Sequence, residues 1–380
     1  MSKGTILYVG GFRLPDGNAA AHRVINNAKI MRDLGYNVVF INKLPSDQNK
    51  EKCFKNYFGF ECIELHNIQN KKTLLKGLYD ISDVISSLNH FDDVNMIIAY
   101  NYPAIALYRI KDYCKKNGIK CIADVSEWYG TKKRSILYKV IKGTDSTLRM
   151  RFVHKKMDGL IVISSFLENY YKGFTNTVCI PPLTDVLDIK WKIKYNKKEG
   201  VTTFIYAGTP SGEKERLDII VKSVLSMKKN YPVKLNVFGI TLEQFLSIYK
   251  LDIKNFEKEF FDTVNFLGRV DHNLVIKYVK EADYSFLIRD NNRVTKAGFP
   301  TKFVESITCG TPVIANSNSD IEKYISNDIN GYLVTLNDLN SELQNILNSN
   351  NQMKVETNRF DYRNYITEAN SFLDKLLINK

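Results

Sequence analysis

The chain has 380 residues, 44% hydrophobic and 25% charged, which suits two medium domains with cores of their own and excludes overall disorder. Its formal charge of +13 and pI near 9.2 imply attraction to polyanions, whether nucleic acid, anionic lipid or phosphorylated small molecules. Six scattered cysteines without a C-x-x-C pair, and five histidines without H-E-x-x-H spacing, argue against disulfides and structural zinc.

In chain order, Thr5 to Val9 reads as a strand ending in Gly10-Gly11, Ala19 to Leu34 as a helix, and Asn37 to Ile41 as a strand, which opens a βαβ pattern. Met96 to Tyr100 is the next expected strand, Ile105 to Asn117 a helix, and Lys120 to Asp124 a strand that leads into Ser126, Glu127 and Trp128. Thr131 to Lys156 then holds nine Lys or Arg residues against the single acid Asp145. Ile136, Leu137, Val140 and Ile141 follow helical spacing there, so the segment reads either as an amphipathic surface for anionic lipid or as a solvated basic face over the core. No zinc-finger or RNP-type signature supports nucleic acid as the partner.

Gly159 to Ile163 is a strand followed by a helix through Tyr171, and beyond Ile180-Pro181-Pro182 the lysine-rich stretch Lys190 to Gly200 reads as a linker. A second series of strands is expected at Thr202 to Ala207, Lys234 to Phe238, Val264 to Leu267, Tyr284 to Ile288 and Pro312 to Ala315. Asn337 to Asn351 is asparagine-rich and reads as a surface connection around a short helix. The division is a first domain over 1–188, a second over 189–355, and a helical segment over 356–380 that packs back toward the first. No apolar run approaches the roughly 20 residues that cross a bilayer, and the start MSKGTILYVGGF enters a strand without a charged leader, so the expected location is the cytoplasm.

Alternating strands and helices imply an α/β fold with two parallel sheets facing across a central cleft, and ligands of such sheets bind at the carboxyl ends of the strands. Gly10-Gly11, Asp124 to Trp128, Gly208 to Lys214 and Gly298 to Glu305 all fall at such ends. The most telling stretch is VTKAGFPTKFVESITCGTPVIA from Val294. Gly298 permits close backbone approach, and Pro300 with Thr301 opens a helix whose first amides lack intrahelical acceptors. Lys302 adds a cation at that anion-favouring end, and Glu305, one turn on, can accept hydrogen bonds from vicinal sugar hydroxyls. Glu305 also suits simple compensation of the helix dipole. Phe299 and Phe303 suit packing in the C-terminal core or shaping the cleft, and Trp128 with Tyr129 suits either a stack on an acceptor sugar or the domain surface. Asp124 and Glu127 form a carboxylate pair able to orient or deprotonate an acceptor hydroxyl, or else to cap a turn and pair with Lys132. His22, near the glycine loop, suits a structural role.

Taken together, YVGGF with NAAAHRV, IVISSFLENYY, IPPL, FIYAGTPSGEKERLDIIVKSV, VNFLGRVDHNLVIKYVKEADYSFLI and AGFPTKFVESITCGTPVIA resemble, in order and over nearly the whole chain, the retaining glycosyltransferases of family 4. The resemblance implies the GT-B fold of two Rossmann-like domains. It implies that Lys214 holds the donor diphosphate and assists its departure, and that Glu305, as the second glutamate of an E-x7-E motif, holds the ribose. The amides of Gly298, Phe299, Pro300 (which has none of its own), Thr301 and Lys302 form the phosphate loop, Arg269 and Val270 lie beside the base, and Gly10 and Gly11 lie near the donor phosphates and acceptor.

Three positions depart from the family. Ala297 stands where a glutamate usually contacts the donor sugar, Ser126 where a histidine commonly sits beside it, and Thr209 where many relatives carry an arginine for the diphosphate. Asp124 or Glu127 is the substitute for the histidine, and Arg216, Arg289, Arg293 or Lys302 for the arginine. The expected activity is retaining transfer from a UDP- or GDP-sugar, with no metal or other cofactor, to a glycan or lipid-linked oligosaccharide. That is the chemistry of capsule or lipopolysaccharide assembly, peripheral on the inner face of the plasma membrane through residues 131–156. The alternatives are a non-catalytic glycosyltransferase-like partner or carbohydrate-binding subunit, and a sugar-nucleotide epimerase.

Overall fold

Strand and helix alternate into two units, one formed by Met1–Leu183 with Asp361–Lys380 and the other by Thr184–Phe360. The computed structural model describes residues 2–46, 52–68, 70–130, 136–197, 199–210, 214–250, 257–349 and 351–378.

The first unit is built on β1 (Thr5–Gly10), β2 (Asn37–Ser46), β3 (Cys53–Tyr57), β4 (Phe60–Ile68), β5 (Val94–Tyr100), β6 (Lys120–Val125), β7 (Gly159–Val162) and β8 (Asn176–Cys179). Their order is β3-β4-β2-β1-β5-β6-β7-β8, parallel apart from the β3–β4 hairpin. Its helices are α1 (Ala19–Asp33), α2 (Lys71–Lys76), α3 (Ser82–Leu88), α4 (Ala104–Lys116), α5 (Ile136–Leu148) and α6 (Ser165–Tyr171). β1 is buried at every position, as a central parallel strand covered on both faces must be. Asn18 caps α1 by accepting from Ala21 N at 2.9 Å, and Asp145, the lone acid of the basic stretch, caps α4 by accepting from Ala104 N at 2.7 Å. A π-helical turn, Arg149–Val153, follows α5. The β3–β4 hairpin escaped the sequence reading because its turn is Phe58-Gly59, both at positive φ (55° and 84°), and phenylalanine is a poor signal for that conformation.

The second unit carries β9 (Thr202–Ala207), β10 (Val233–Phe238), β11 (Val264–Gly268), β12 (Tyr284–Leu287), β13 (Val313–Asn316) and β14 (Gly331–Val334), ordered β11-β10-β9-β12-β13-β14 and parallel throughout. Its helices are α7 (Leu217–Met227), α8 (Leu242–Tyr249), α9 (Glu257–Thr263), α10 (His272–Glu281), α11 (Arg293–Ala297), α12 (Thr301–Thr308) and α13 (Leu339–Asn348). Trp191 is buried in this unit with Ile205, Phe238 and Ile276. The short helix expected within Asn337 to Asn351 forms as α13, but it is more than a surface connection, for its ten residues bury Leu339, Leu343 and Ile346 in the core. Its asparagines occupy the outer face, which made the segment look more polar than it packs.

The last helix, α14 (Ile366–Ile378), returns to the first unit and packs Phe372, Leu373 and Leu376 against Ile161 and Val178. No helix among the described residues is long and apolar enough to cross a membrane. In each sheet the chain reverses its direction of progress once, between β1 and β5 and between β9 and β12. The carboxyl ends of the strands flanking such a reversal splay their loops apart and leave room for a ligand.

Candidate functional site

In the second unit the reversal point gathers Tyr206 and Gly208 at the end of β9, Arg289 just past β12, and Lys302 in the first turn of α12. The segment around Glu215 pairs antiparallel with Arg289, with Arg216 N donating to Ile288 O and Asp290 N to Lys214 O, both at 2.9 Å. Lys302 Nζ donates to Tyr206 OH at 2.7 Å and lies 4.2 Å from the centre of that ring. Glu215 Oε1 is 3.8 Å from Lys302 Nζ and 4.0 Å from Arg289 Nε. Burial pushes the Lys302 ammonium below the ordinary lysine value; Glu215 opposes the fall, and the neighbouring charges of Arg289 and Lys214 add to it. Burial lowers Arg289 in the same way, against Glu215.

Glycine makes room for this cluster. Gly208 has φ 146°, and a Cβ there would lie 2.1 Å from Lys302 Cε. Gly239, at φ 86°, passes so close that its Cβ would fall 2.5 Å from the Gly208 carbonyl carbon, and its N–H donates to Gly268 O at 2.7 Å. Three successive strands therefore end in positive-φ glycines that draw their loops together. Beside them a concave site of about 790 Å³ is lined by Thr209, Gly239, Thr241 and Arg269.

α12 begins as the sequence implies, but Pro300 is its N-cap residue and supplies no side-chain cap. The neighbouring α11 and α10 differ, being capped by Asn292 and Asp271. Phe303 N donates to Pro300 O at 3.1 Å, which leaves the amides of Thr301 and Lys302 to solvent or an anion. Gly298 is extended, φ −95° and ψ 164°, so no special backbone conformation requires glycine there, and its carbonyl accepts from Ser319 Oγ at 2.6 Å. Phe299 packs with Phe303, Tyr324 and Phe360 in an aromatic cluster, with ring centroids 4.9 to 6.0 Å apart for most pairs, so only its backbone is left for a ligand. Ala297 is fully buried.

Glu305 Oε1 stands 3.2 Å from His272 Nε2, which joins the α12 carboxylate to the start of α10, immediately after Arg269 and Val270. Both Arg269 and Val270 are exposed. Sequence reasoning missed His272; its place at the head of an amphipathic helix, four residues beyond Gly268, was the available signal. Lys214 is partly buried and close enough to Lys302 to bear on its charge. Arg216 is committed to Asp218, at 3.0 and 2.8 Å, and to Asp290 at 3.5 Å.

In the first unit Gly10 and Gly11 line a cavity of about 410 Å³ with Lys43, Asp83, Tyr100 and Asn101. Asp124, expected as a catalytic carboxylate, is instead enclosed in the fold. Its carboxylate is wholly buried, accepts from Tyr8 OH and from Asn27 Nδ2 at 3.3 Å, and meets Arg23 through Nε at 2.8 Å and Nη2 at 2.7 Å. Arg23 Nη1 in turn donates to Ile180 O at 2.8 Å. A carboxylate enclosed in this way holds β1, α1 and β6 together and presents no oxygen to an acceptor. Burial and then Asp124 raise the Tyr8 phenol well above its ordinary value, so it remains a donor to that carboxylate.

Glu127 is partly exposed and hydrogen-bonds Tyr129, whose ring lies 4.9 Å from the Arg149 guanidinium. Ser126 Oγ accepts from Asn101 Nδ2 at 2.6 Å and donates to Tyr100 OH at 3.0 Å. Trp128 is buried against Phe166 and Tyr170, which takes it away from any acceptor. His22 pairs with Asp16 at 2.6 Å. Of the basic stretch, Lys132, Lys133 and Arg134 lie outside the described residues, whereas α5 forms over the expected helical segment.

Residues 188–364 match the family described as Glycosyl transferases group 1. That segment is a group 1 glycosyltransferase domain. A chain built on it is a sugar-transferring enzyme, and its two sheets are those of the GT-B fold. Among solved structures it is similar to sucrose-phosphate synthase (tll1590) from Thermosynechococcus elongatus, with a TM-score of 0.72 at 14% identity over 100% of both chains. It is also similar to Anabaena Alr3699/HepE solved with UDP-glucose, at TM-score 0.66 and 14% identity over 98% of this chain and 100% of that one. The apo lipopolysaccharide outer core galactosyltransferase WaaB gives 0.65 at 13% identity over 98% and 99%. No curated protein matches the chain in sequence.

Proposed function

We propose that this enzyme moves a sugar, with retention of anomeric configuration, from a UDP- or GDP-sugar to a glycan or lipid-linked oligosaccharide in surface polysaccharide assembly. The observation that carries the donor assignment is the uncapped start of α12, with Lys302 beside it at the strand reversal. In this reading the amides of Thr301 and Lys302 and the ammoniums of Lys302 and Lys214 meet the diphosphate. Glu305 accepts from the ribose hydroxyls, with His272 fixing its carboxylate, and Arg269 and Val270 flank the base. HepE, solved with UDP-glucose, and WaaB, named as a lipopolysaccharide galactosyltransferase, support donor and pathway by likeness of fold.

Breaking the anomeric bond sends its electron pair to the departing diphosphate and leaves an oxocarbenium-like sugar. Cations and amides that bind the more charged leaving group more tightly than the intact donor therefore lower the barrier. Glu127, with Asp124 sealed away, is the carboxylate left to orient an acceptor at the first unit. Retention rests on the family 4 resemblance of the sequence.

Association with the inner face of the plasma membrane is part of the same proposal. Val140, Leu148 and Phe152 are exposed on α5 and the turn after it, among Lys142, Arg151 and Lys155. Such a surface inserts apolar groups while its cations meet anionic headgroups.

Calorimetric titration of UDP, GDP and their sugar conjugates, paired with an assay for nucleotide diphosphate release, tests the reading. Failure of the wild type to bind either nucleotide overturns it. The burial of Ala297, where a sugar-contacting glutamate is usual, favours a second reading as a non-catalytic partner. That reading requires nucleotide binding without diphosphate release against every acceptor tried.

A further inference from the structure

Arg289 is a buried cation that the donor site as proposed does not use. It is only 4% exposed, and among the described residues neither Nε nor Nη1 has a hydrogen-bond partner. Its counter-charge, Glu215 Oε1, stands 4.0 Å away and is shared with Lys302 at 3.8 Å. A buried guanidinium and a partly buried ammonium thus divide one carboxylate, at distances beyond a hydrogen bond. Removing a guanidinium from water is costly unless its donors are matched, so among the described residues Arg289 lacks an acceptor at hydrogen-bond distance for these two nitrogens.

The position and geometry of Arg289 indicate which anion. It follows β12 directly at the strand reversal, held by the bridge to Glu215, and shares that carboxylate with the lysine at the start of α12. Its planar fork of N–H donors matches two phosphate oxygens at once. Thr209 brings no charge, and Arg216 is already held by Asp218 and Asp290.

We infer that Arg289 is the second diphosphate-binding cation of the donor site, acting with Lys302, and that Glu215 is the resident counter-ion from which a bound diphosphate takes both cations. This inference rests on the donor-site reading above. It assigns the role of the arginine absent at position 209 to a different strand end.

The test is the ratio of UDP to uridine affinity, which isolates the phosphate contribution, measured by calorimetry for wild type, Arg289→Gln, Arg289→Lys and Glu215→Gln after thermal melts establish folding. If GDP is the nucleotide bound, GDP and guanosine take their place. Arg289→Gln is expected to lower the ratio on the order of 10- to 100-fold, with partial recovery in Arg289→Lys, and Glu215→Gln to raise it several-fold. A folded Arg289→Gln protein with the wild-type ratio overturns the inference and leaves the donor-site reading intact. A wild type that binds neither nucleotide overturns both. If Arg289→Gln does not fold, Glu215→Gln decides, because it keeps both cations: an unchanged ratio overturns the inference.

Discussion

Each unit buries an arginine beside a carboxylate at the carboxyl edge of its sheet, and the two pairs differ in closure. Arg23 and Asp124 meet at 2.7 to 2.8 Å, with Tyr8 and Asn27 on the other carboxylate oxygen. Arg289 and Glu215 stay 4.0 Å apart, and Lys302 competes for the same oxygen at 3.8 Å. The first pair is electrically complete and serves the fold. The second has an excess of positive charge and is suited to an incoming anion. Burial of charge alone does not mark a ligand site; burial with charge left unmatched beside a strand reversal makes a candidate for one.

Asp124→Ala is the sharpest way to break that contrast. It leaves Arg23 uncompensated in the core and is expected to cost about 3–5 kcal/mol of stability, read by denaturant unfolding. UDP affinity of the folded fraction should stay at the wild-type value; a variant as stable as wild type would show that the first pair is not structural.

On the open side, Lys214→Ala is expected to reduce turnover on the order of 100-fold, as removal of a group aimed at developing charge does. Unchanged diphosphate release would remove Lys214 from the departing phosphate. Glu305→Gln should weaken UDP roughly 10-fold while leaving inorganic pyrophosphate binding unaltered, because only the ribose contact is lost. Equal losses for both ligands would assign Glu305 to the helix terminus.

A smaller effect separates the units by pH. His154 is buried against Tyr171, 2.9 Å from its hydroxyl; burial, then the charge of Arg149, holds its pKa well below the ordinary value. The unfolded chain takes up a proton near pH 6.5 that the folded state refuses, so stability falls as pH drops below about 6.5, by at most about 1.4 kcal/mol per pH unit. His154→Gln should flatten that slope in unfolding measured between pH 7.5 and 5.5. The least effect is expected at the proposed membrane face, where Lys139→Gln with Lys142→Gln should modestly weaken sedimentation with anionic vesicles at low salt. Binding that neither variant nor salt alters would argue against it.

The sheets were legible because buried parallel strands such as those starting at Thr5 and Thr202 are continuous apolar runs closed by glycine. Helix α12 was legible for a similar reason, since Pro300, Lys302 and Glu305 lie within one short stretch. Tyr8, Arg23 and Asp124 are far apart in the chain, so no local pattern reveals that the carboxylate is enclosed, and it looked like a base. The same applies to Arg289 and Glu215, which only the bridge beside β12 makes neighbours. Composition hid the β3–β4 hairpin, through a phenylalanine in its turn, and the core-facing stripe of α13, through the asparagines over it.

The route of the polypeptide has a consequence for biogenesis. The apolar seam of the first unit over Gly159 is filled by Phe372, to the point that a Cβ on Gly159 would lie 2.7 Å from that ring. The N-terminal core can therefore close only once synthesis has passed α14, although the inserted second unit, contiguous in the chain, is already complete. Losing α14 would strand a nascent N-terminal half with its hydrocarbon surface open to chaperones and proteases.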